Sequence, residues 1–218
     1  MSARPPTASS TFSGAGSAGM VDLGHETDLG GRVAGIDEAG RGPWAGPVCA
    51  AAVCLGPDAR AALAGVTDSK ALTRKRRDTL LERVRAHADV GVGWASAAEV
   101  DHHNVLQASL LAMQRAVAAL AESPDHALVD GRQVPALACP AHCLVKGDRR
   151  SLSVAAASIV AKVERDRHMA ILDARHPGYG WARNAGYGTA EHRDALARLG
   201  PSPEHRRSFK PVRAAEGR

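Results

Sequence analysis

The sequence contains no apolar run near the roughly 18 residues that a bilayer-spanning helix needs, and no N-terminal stretch laid out as charged, apolar and small-residue regions like a secretory leader. A chain without either is expected to stay in the cytoplasm and off membranes. Cysteine is scarce: Cys49, Cys54, Cys139 and Cys143 form no Cys-x2-Cys pair, and the first two fall in an apolar run. Structural zinc is therefore disfavoured, although His142 stands beside Cys143, and the four read as reduced, small, buried residues. Lysine is rare, with five residues against 23 arginines, and the formal net charge is +5. Arginine makes paired hydrogen bonds to phosphate, so this balance suits a polyanionic partner without demonstrating one. Aromatic residues make up 3% of the chain, and Tyr179, Trp181, Tyr187 and Phe209 crowd its last quarter beside Arg183, Arg193, Arg206 and Arg207. There Trp181 and Phe209 read as core. No internal repeat is visible.

What remains fits one compact domain with a sizeable core. Residues 1–30, rich in Ser, Ala, Gly, Thr and Pro, show little apolar periodicity and read as a disordered tail. Residues 31–212 read as the domain and 213–218 as a flexible end. Short apolar runs alternate with amphipathic ones, the pattern of an α/β fold. Strands are expected at 32–37, 47–55, 90–95, 127–130 and 142–146, the first two pairing as an antiparallel hairpin across a Gly- and Pro-rich link. A helix should follow Thr73 as N-cap, carrying Leu80, Leu81 and Val84. Another places Leu106, Leu110, Met113, Val117 and Leu120 on one face, against the sheet. An Ala-rich helix spans 153–175, and a last one covers about 190–199 before a Pro- and Arg-rich end.

Acids mark the strand ends in this layout. Asp37 and Glu38, Asp130, and Asp148 each come at or just after a predicted strand, where sites of α/β sheets collect. Any one of them alone reads as a turn or cap residue. Together they carry a cost: at 4 Å and an effective dielectric near 20, each like-charged pair costs roughly 4 kcal/mol before screening. Such a cluster takes up protons or binds hard divalent cations, and all-oxygen ligands favour Mg²⁺ or Mn²⁺ over zinc. Two such ions form a known device for in-line attack of water on a phosphodiester.

The run Gly35-Ile36-Asp37-Glu38-Ala39-Gly40-Arg41-Gly42-Pro43, followed by Ala45-Gly46-Pro47-Val48, resembles the opening signature of ribonuclease HII. The resemblance continues through Asp68-Ser69-Lys70, Val129-Asp130-Gly131, Lys146-Gly147-Asp148, the segment Ala155 to Lys162, Gly186-Tyr187-Gly188-Thr189 and His205 to Phe209, covering about residues 32 to 212. It implies a ribonuclease H-like mixed sheet of five strands flanked by helices, with a C-terminal helical part. It also implies a metal-dependent endonuclease acting on RNA–DNA hybrids and on ribonucleotides embedded in duplex DNA, cutting on the 5′ side of the ribonucleotide.

The family's four metal-binding carboxylates fall on Asp37, Glu38, Asp130 and Asp148, the same four that strand-end placement selects. By the resemblance, Gly40-Arg41-Gly42 contacts the sugar-phosphate backbone at the ribonucleotide, where glycines let main-chain groups approach a 2′-hydroxyl. Tyr187 stacks on the neighbouring sugar. Ser69, Lys70 and Lys146 are expected on phosphates, whereas His102, His103, His168 and His192 have no partners at metal-ligand spacing. Two departures from the family pattern are Ala185, where many relatives carry Lys, and Trp44, where a smaller apolar residue is common. Arg183 is a candidate to replace the missing charge. A monomer is expected. The rivals are a catalytically weak hybrid-binding module and a ribonuclease HIII-like enzyme, the latter requiring an N-terminal substrate-binding domain that about 30 loose residues cannot form.

Overall fold

The computed structural model describes residues 21–66, 69 and 72–216. Five strands form one mixed sheet: β1 (Val33–Ala39), β2 (Val48–Leu55), β3 (Ala88–Ala95), β4 (His126–Asp130) and β5 (Ala141–Leu144), in the order β3-β2-β1-β4-β5. The expected hairpin is present, since β1 and β2 pair antiparallel with Asp37 opposite Ala51 and Glu38 opposite Ala50. β2 continues antiparallel to β3, whereas β1, β4 and β5 run parallel.

Helices cover both faces. On one lie α2 (Ala59–Ala62), α3 (Arg74–His87) and the long α6 (Leu152–Arg175), packed through Leu80, Leu81, Val84, Ile159 and Val163 onto Cys49, Ala51 and Val53. Thr73 caps α3 as its sequence suggests, its hydroxyl accepting from the Arg76 N–H at 3.3 Å. On the other face lie α4 (Ala97–His103) and α5 (Val105–Ala118). The fully buried stripe of α5 is Ala108, Ala112 and Ala116, while Leu106 and Leu110 are half-buried. Of the expected face, Met113 is buried and Leu110, Val117 and Leu120 pack on the same core, so that face does meet the sheet, with the alanine stripe lying closer still. The reason is close approach: a Cβ on Gly93 would stand 2.1 Å from the Ala112 carbonyl oxygen, so small residues set the helix-to-sheet distance. Gly35 plays the same part for α6, where a Cβ would fall 2.2 Å from the Ser153 carbonyl carbon.

Two described segments at the expected tails are helical. A short helix, α1 (Gly24–Leu29), lies where the sequence reads as tail. Its Glu26 carboxylate accepts from Ser151 Oγ at 2.6 Å, Ser153 Oγ at 2.7 Å and the Ser153 N–H at 2.9 Å. An anion at the N-terminus of a 24-residue helix is favourable, because orphan N–H groups and the helix dipole converge there. Residues 1–20 lie outside the described residues. At the other end α7 (Trp181–Asn184) and α8 (Ala190–Leu199) are followed by α9 (Lys210–Glu216), which runs into the segment expected to be flexible. Trp181 is fully buried against Ala45, Met169, Leu172 and Tyr179, and Phe209 is partly buried against the α5 face. No helix among the described residues is long and apolar enough to cross a membrane.

Candidate active site

Strand alternation sorts the acids by face. Along β1, Gly35 and Ala39 abut the α6 side and Ile36 the α5 side, so Asp37 points toward α6 and Glu38 toward α5. The parallel ladder pairs Ile36 with Val129, which makes Asp37 and Asp130 the next neighbours on the same face. Asp148 sits on a 3-10 turn, Gly147–Arg149, just before α6, and the Gly147 N–H donates to Asp130 Oδ1 at 2.7 Å. The topology therefore brings all four sequence-selected acids to one end of the sheet.

Electrostatics reports the same convergence. Burial pushes the Asp37 carboxyl well above the usual carboxylate range, and the charges of Glu38, Asp130 and Asp148 push it further, against a 2.7 Å hydrogen bond from the Glu38 N–H. Among the described residues no three His, Cys, Asp or Glu side chains already close around a single point. The donor set nevertheless fits a hard cation: all donors are oxygen, and a buried carboxyl facing three others is the environment a divalent ion relieves.

A cleft of about 300 Å³ opens beside these acids, lined by Asp37, Glu38, the Gly40-Arg41-Gly42 segment, Ser69 and Tyr187. The ring of Tyr187 lies against Gly42, and 46% of this residue is exposed. Three further residues line the cleft that the sequence reading gave no role: Ser158, Lys162 and Arg165. Their spacing of four and three puts them on one face of an otherwise Ala-rich helix, a polar stripe that could have flagged them. Ser158 Oγ accepts from the Ser69 N–H at 3.3 Å, and Lys162 pairs with Asp166 at 2.7 Å. Arg41 pairs with Glu38 at 3.2 Å. Lys146 is exposed, in left-handed backbone directly before the turn bearing Asp148, and does not line the cleft. Lys70 lies outside the described residues.

Two buried guanidiniums shape the segment between β1 and β2. Arg206 donates to the carbonyls of Gly40 (2.6 Å), Arg41, Pro43 and Gly46 (each 2.9 Å). Arg165 donates to those of Ala45 (3.2 Å), Pro47 (2.9 Å) and Ala185 (2.9 Å). Six carbonyls of residues 40–47 thus turn inward, and the N–H groups of Arg41 and Gly42 donate to no acceptor among the described residues. Arg206 belongs by sequence to the basic cluster near the C-terminus, yet it is buried, with its charge over the Phe209 ring at 5.4 Å. Ala185, the departure from the family pattern, adopts left-handed backbone and serves Arg165 through its carbonyl. Arg183, the candidate substitute, is exposed and paired with Glu191.

The Tyr187 backbone is held by a second buried network. Ser202 N–H donates to His205 Nδ1 at 2.9 Å, so His205 carries its proton on Nε2 and donates to His192 Nε2 at 3.0 Å. His192 Nε2 also accepts from Trp181 Nε1 at 3.1 Å, which leaves its Nδ1–H to donate to the Tyr187 carbonyl at 3.0 Å. Trp44, the second departure, packs on this assembly: a Cβ on Gly188 would meet its ring at 2.1 Å, and its centroid lies 5.6 Å from that of His192.

The family model described as ribonuclease HII matches residues 34–212. Ribonuclease HII of Paramagnetospirillum magneticum is 57% identical over 195 residues, covering 88% of this chain and 97% of the relative. Among solved structures, ribonuclease H2 from Pyrococcus horikoshii superposes with a TM-score of 0.72 at 27% identity, covering 85% of this chain and 97% of the other. The RNase HII in a complex with PCNA from Archaeoglobus fulgidus gives 0.70 at 28% identity, covering 82% and 95%. With a sheet, an acid cluster and a sequence match that agree, the chain belongs to the ribonuclease HII family, type 2 ribonucleases H that act as endonucleases on RNA–DNA hybrids.

Proposed function

We propose that this protein hydrolyses the RNA strand of RNA–DNA hybrids and cuts on the 5′ side of single ribonucleotides in duplex DNA, leaving 3′-hydroxyl and 5′-phosphate ends. The observation that carries the reading is the burial of Asp37 beside three further carboxylates at the mouth of a cleft. Asp37, Glu38, Asp130 and Asp148 would hold Mg²⁺ or Mn²⁺, as two ions. When bound, such ions supply Lewis-acid activation of water and charge neutralisation for an in-line displacement at phosphorus.

The protein's own groups position the strand. Inward-turned carbonyls leave the Arg41 and Gly42 N–H groups available to the ribose 2′-hydroxyl, a contact that separates RNA from DNA. The 2′-hydroxyl is thereby held by backbone and kept from acting as nucleophile. Tyr187 offers its ring face to the next sugar, while Ser69, Lys70, Lys146 and Lys162 supply charge and hydrogen bonds to phosphates on the flanks. All these groups come from one chain, so a monomer in the cytoplasm suffices.

The test is cleavage of an end-labelled duplex containing one ribonucleotide, with Mg²⁺ or Mn²⁺, and product ends mapped at nucleotide resolution. Cutting 5′ of the ribonucleotide with a free 3′-hydroxyl is expected. Products bearing a 2′,3′-cyclic phosphate, or undiminished cutting in excess EDTA, would refute the reading.

A further inference from the structure

Glu38 stands between two hollows. One is the cleft described above. The other, of about 340 Å³, lies on the α5 side and shares both Glu38 and Arg41 with the first, so the two form one trough across the acid cluster. On the α5 side it is lined by Leu106, Ser109, Leu110 and Met113, largely apolar because the Ser109 hydroxyl already donates to the Val105 carbonyl at 2.7 Å, and Arg132 and Gln133 from the loop after Asp130 complete the lining. Arg132 and Gln133 are exposed, and Arg132 has no ion pair among the described residues.

We infer that this second hollow seats the nucleotide immediately 5′ of the scissile phosphate, its sugar on Leu106 and Leu110 and the phosphate beyond it on Arg132. The inference rests on the function proposed above, which puts the ribonucleotide against Gly40–Gly42 and the cut on its 5′ side. A strand laid that way and continued past the acids enters the hollow on the other side of Glu38. A largely apolar wall with a cation beside it matches a sugar followed by a phosphate, the order of groups along the strand. The placement fits as well, because Glu38 and Asp130 themselves line the hollow, so it adjoins the acids directly. Because a deoxyribose needs no polar partner at its 2′ position, an apolar seat also accepts DNA on this side, as a ribonucleotide embedded in DNA requires.

The experiment compares wild type and Arg132→Ala on two single-ribonucleotide duplexes, one natural and one with a neutral methylphosphonate replacing the phosphate 5′ of the seated nucleotide. On the natural duplex Arg132→Ala should raise KM about tenfold and lower the slope of log KM against log salt by about one. On the methylphosphonate duplex the wild type should already show that rise, and the variant should add nothing. Equal KM for the two proteins on the natural duplex, or an equal further rise on both duplexes, would overturn the seat while leaving the proposed function standing. Absence of any cutting by the wild type would overturn both.

Discussion

The Arg206 guanidinium donates to the Gly40 carbonyl at 2.6 Å, from a position 166 residues away in the chain. Three more carbonyls of the same segment share that guanidinium, and among the described residues no carboxylate forms an ion pair with it. A planar fork of five donors suits this task, whereas a lysine ammonium would reach at most three. Arg206→Ala is therefore expected to destabilise the protein by about 3 kcal/mol or more, since it strands buried acceptors. Arg206→Lys should fold and lose at least tenfold in activity on a single-ribonucleotide duplex. Urea denaturation and steady-state kinetics measure the two effects, and a lysine variant with wild-type kinetics would remove the positioning role.

Asp37→Asn and Asp130→Asn should each reduce cleavage by a factor on the order of a thousand or more, since loss of one carboxylate breaks the charge set needed for divalent ions. Their effect on stability is expected to have the opposite sign. In metal-free buffer Asp37→Asn removes a buried charge from beside three others, so its thermal midpoint should equal or exceed that of the wild type. Loss of activity accompanied by unfolding would point to a structural role instead.

Tyr187→Ala should leave stability nearly unchanged, because the side chain is 46% exposed. Its cost should fall more heavily on a duplex with one ribonucleotide than on a uniform RNA–DNA hybrid, by about tenfold in relative kcat/KM. Equal losses on the two substrates would contradict junction reading.

The neutral His192–His205 pair sets an acid limit. Burial, then the neighbouring His192, holds the His205 imidazole down to about 3, below its ordinary value of 6.5, and burial also lowers His192. In the window between those values the unfolded chain binds a proton that the folded chain refuses, so stability is present above about pH 6.5 and falls as the pH drops toward 3. From pH 7 to 5 the loss attributable to His205 should be about 2 kcal/mol. His205→Gln should flatten this slope in denaturant titrations, at the cost of a lower stability at pH 7.

All five strands, and the meeting of four acids at one end of the sheet, were legible because each rests on a short-range pattern: short apolar runs with acids or turn residues at their ends. Arg206 and Arg165 were not legible, since a basic residue in a basic stretch reads as surface, and only the tertiary structure brings unsatisfied carbonyls to it. Glu26 eluded the sequence for a related reason: its partners Ser151 and Ser153 lie 125 and 127 residues away. On α5 the periodicity located the helix and a face that packs on the core, but not the deeper alanine stripe, because the glycines that admit Ala112 and Ala116 sit on a different element, β3.

The parallel ladder between β1 and β4 places Val33 against His126 and Ile36 against Val129. Side chains alternate along each strand, so a shift of either strand by a single position would turn the Asp130 side chain off the face it shares with Asp37 and break up the acid cluster. Inserting or deleting one residue within either strand should therefore abolish turnover even in a protein that still folds.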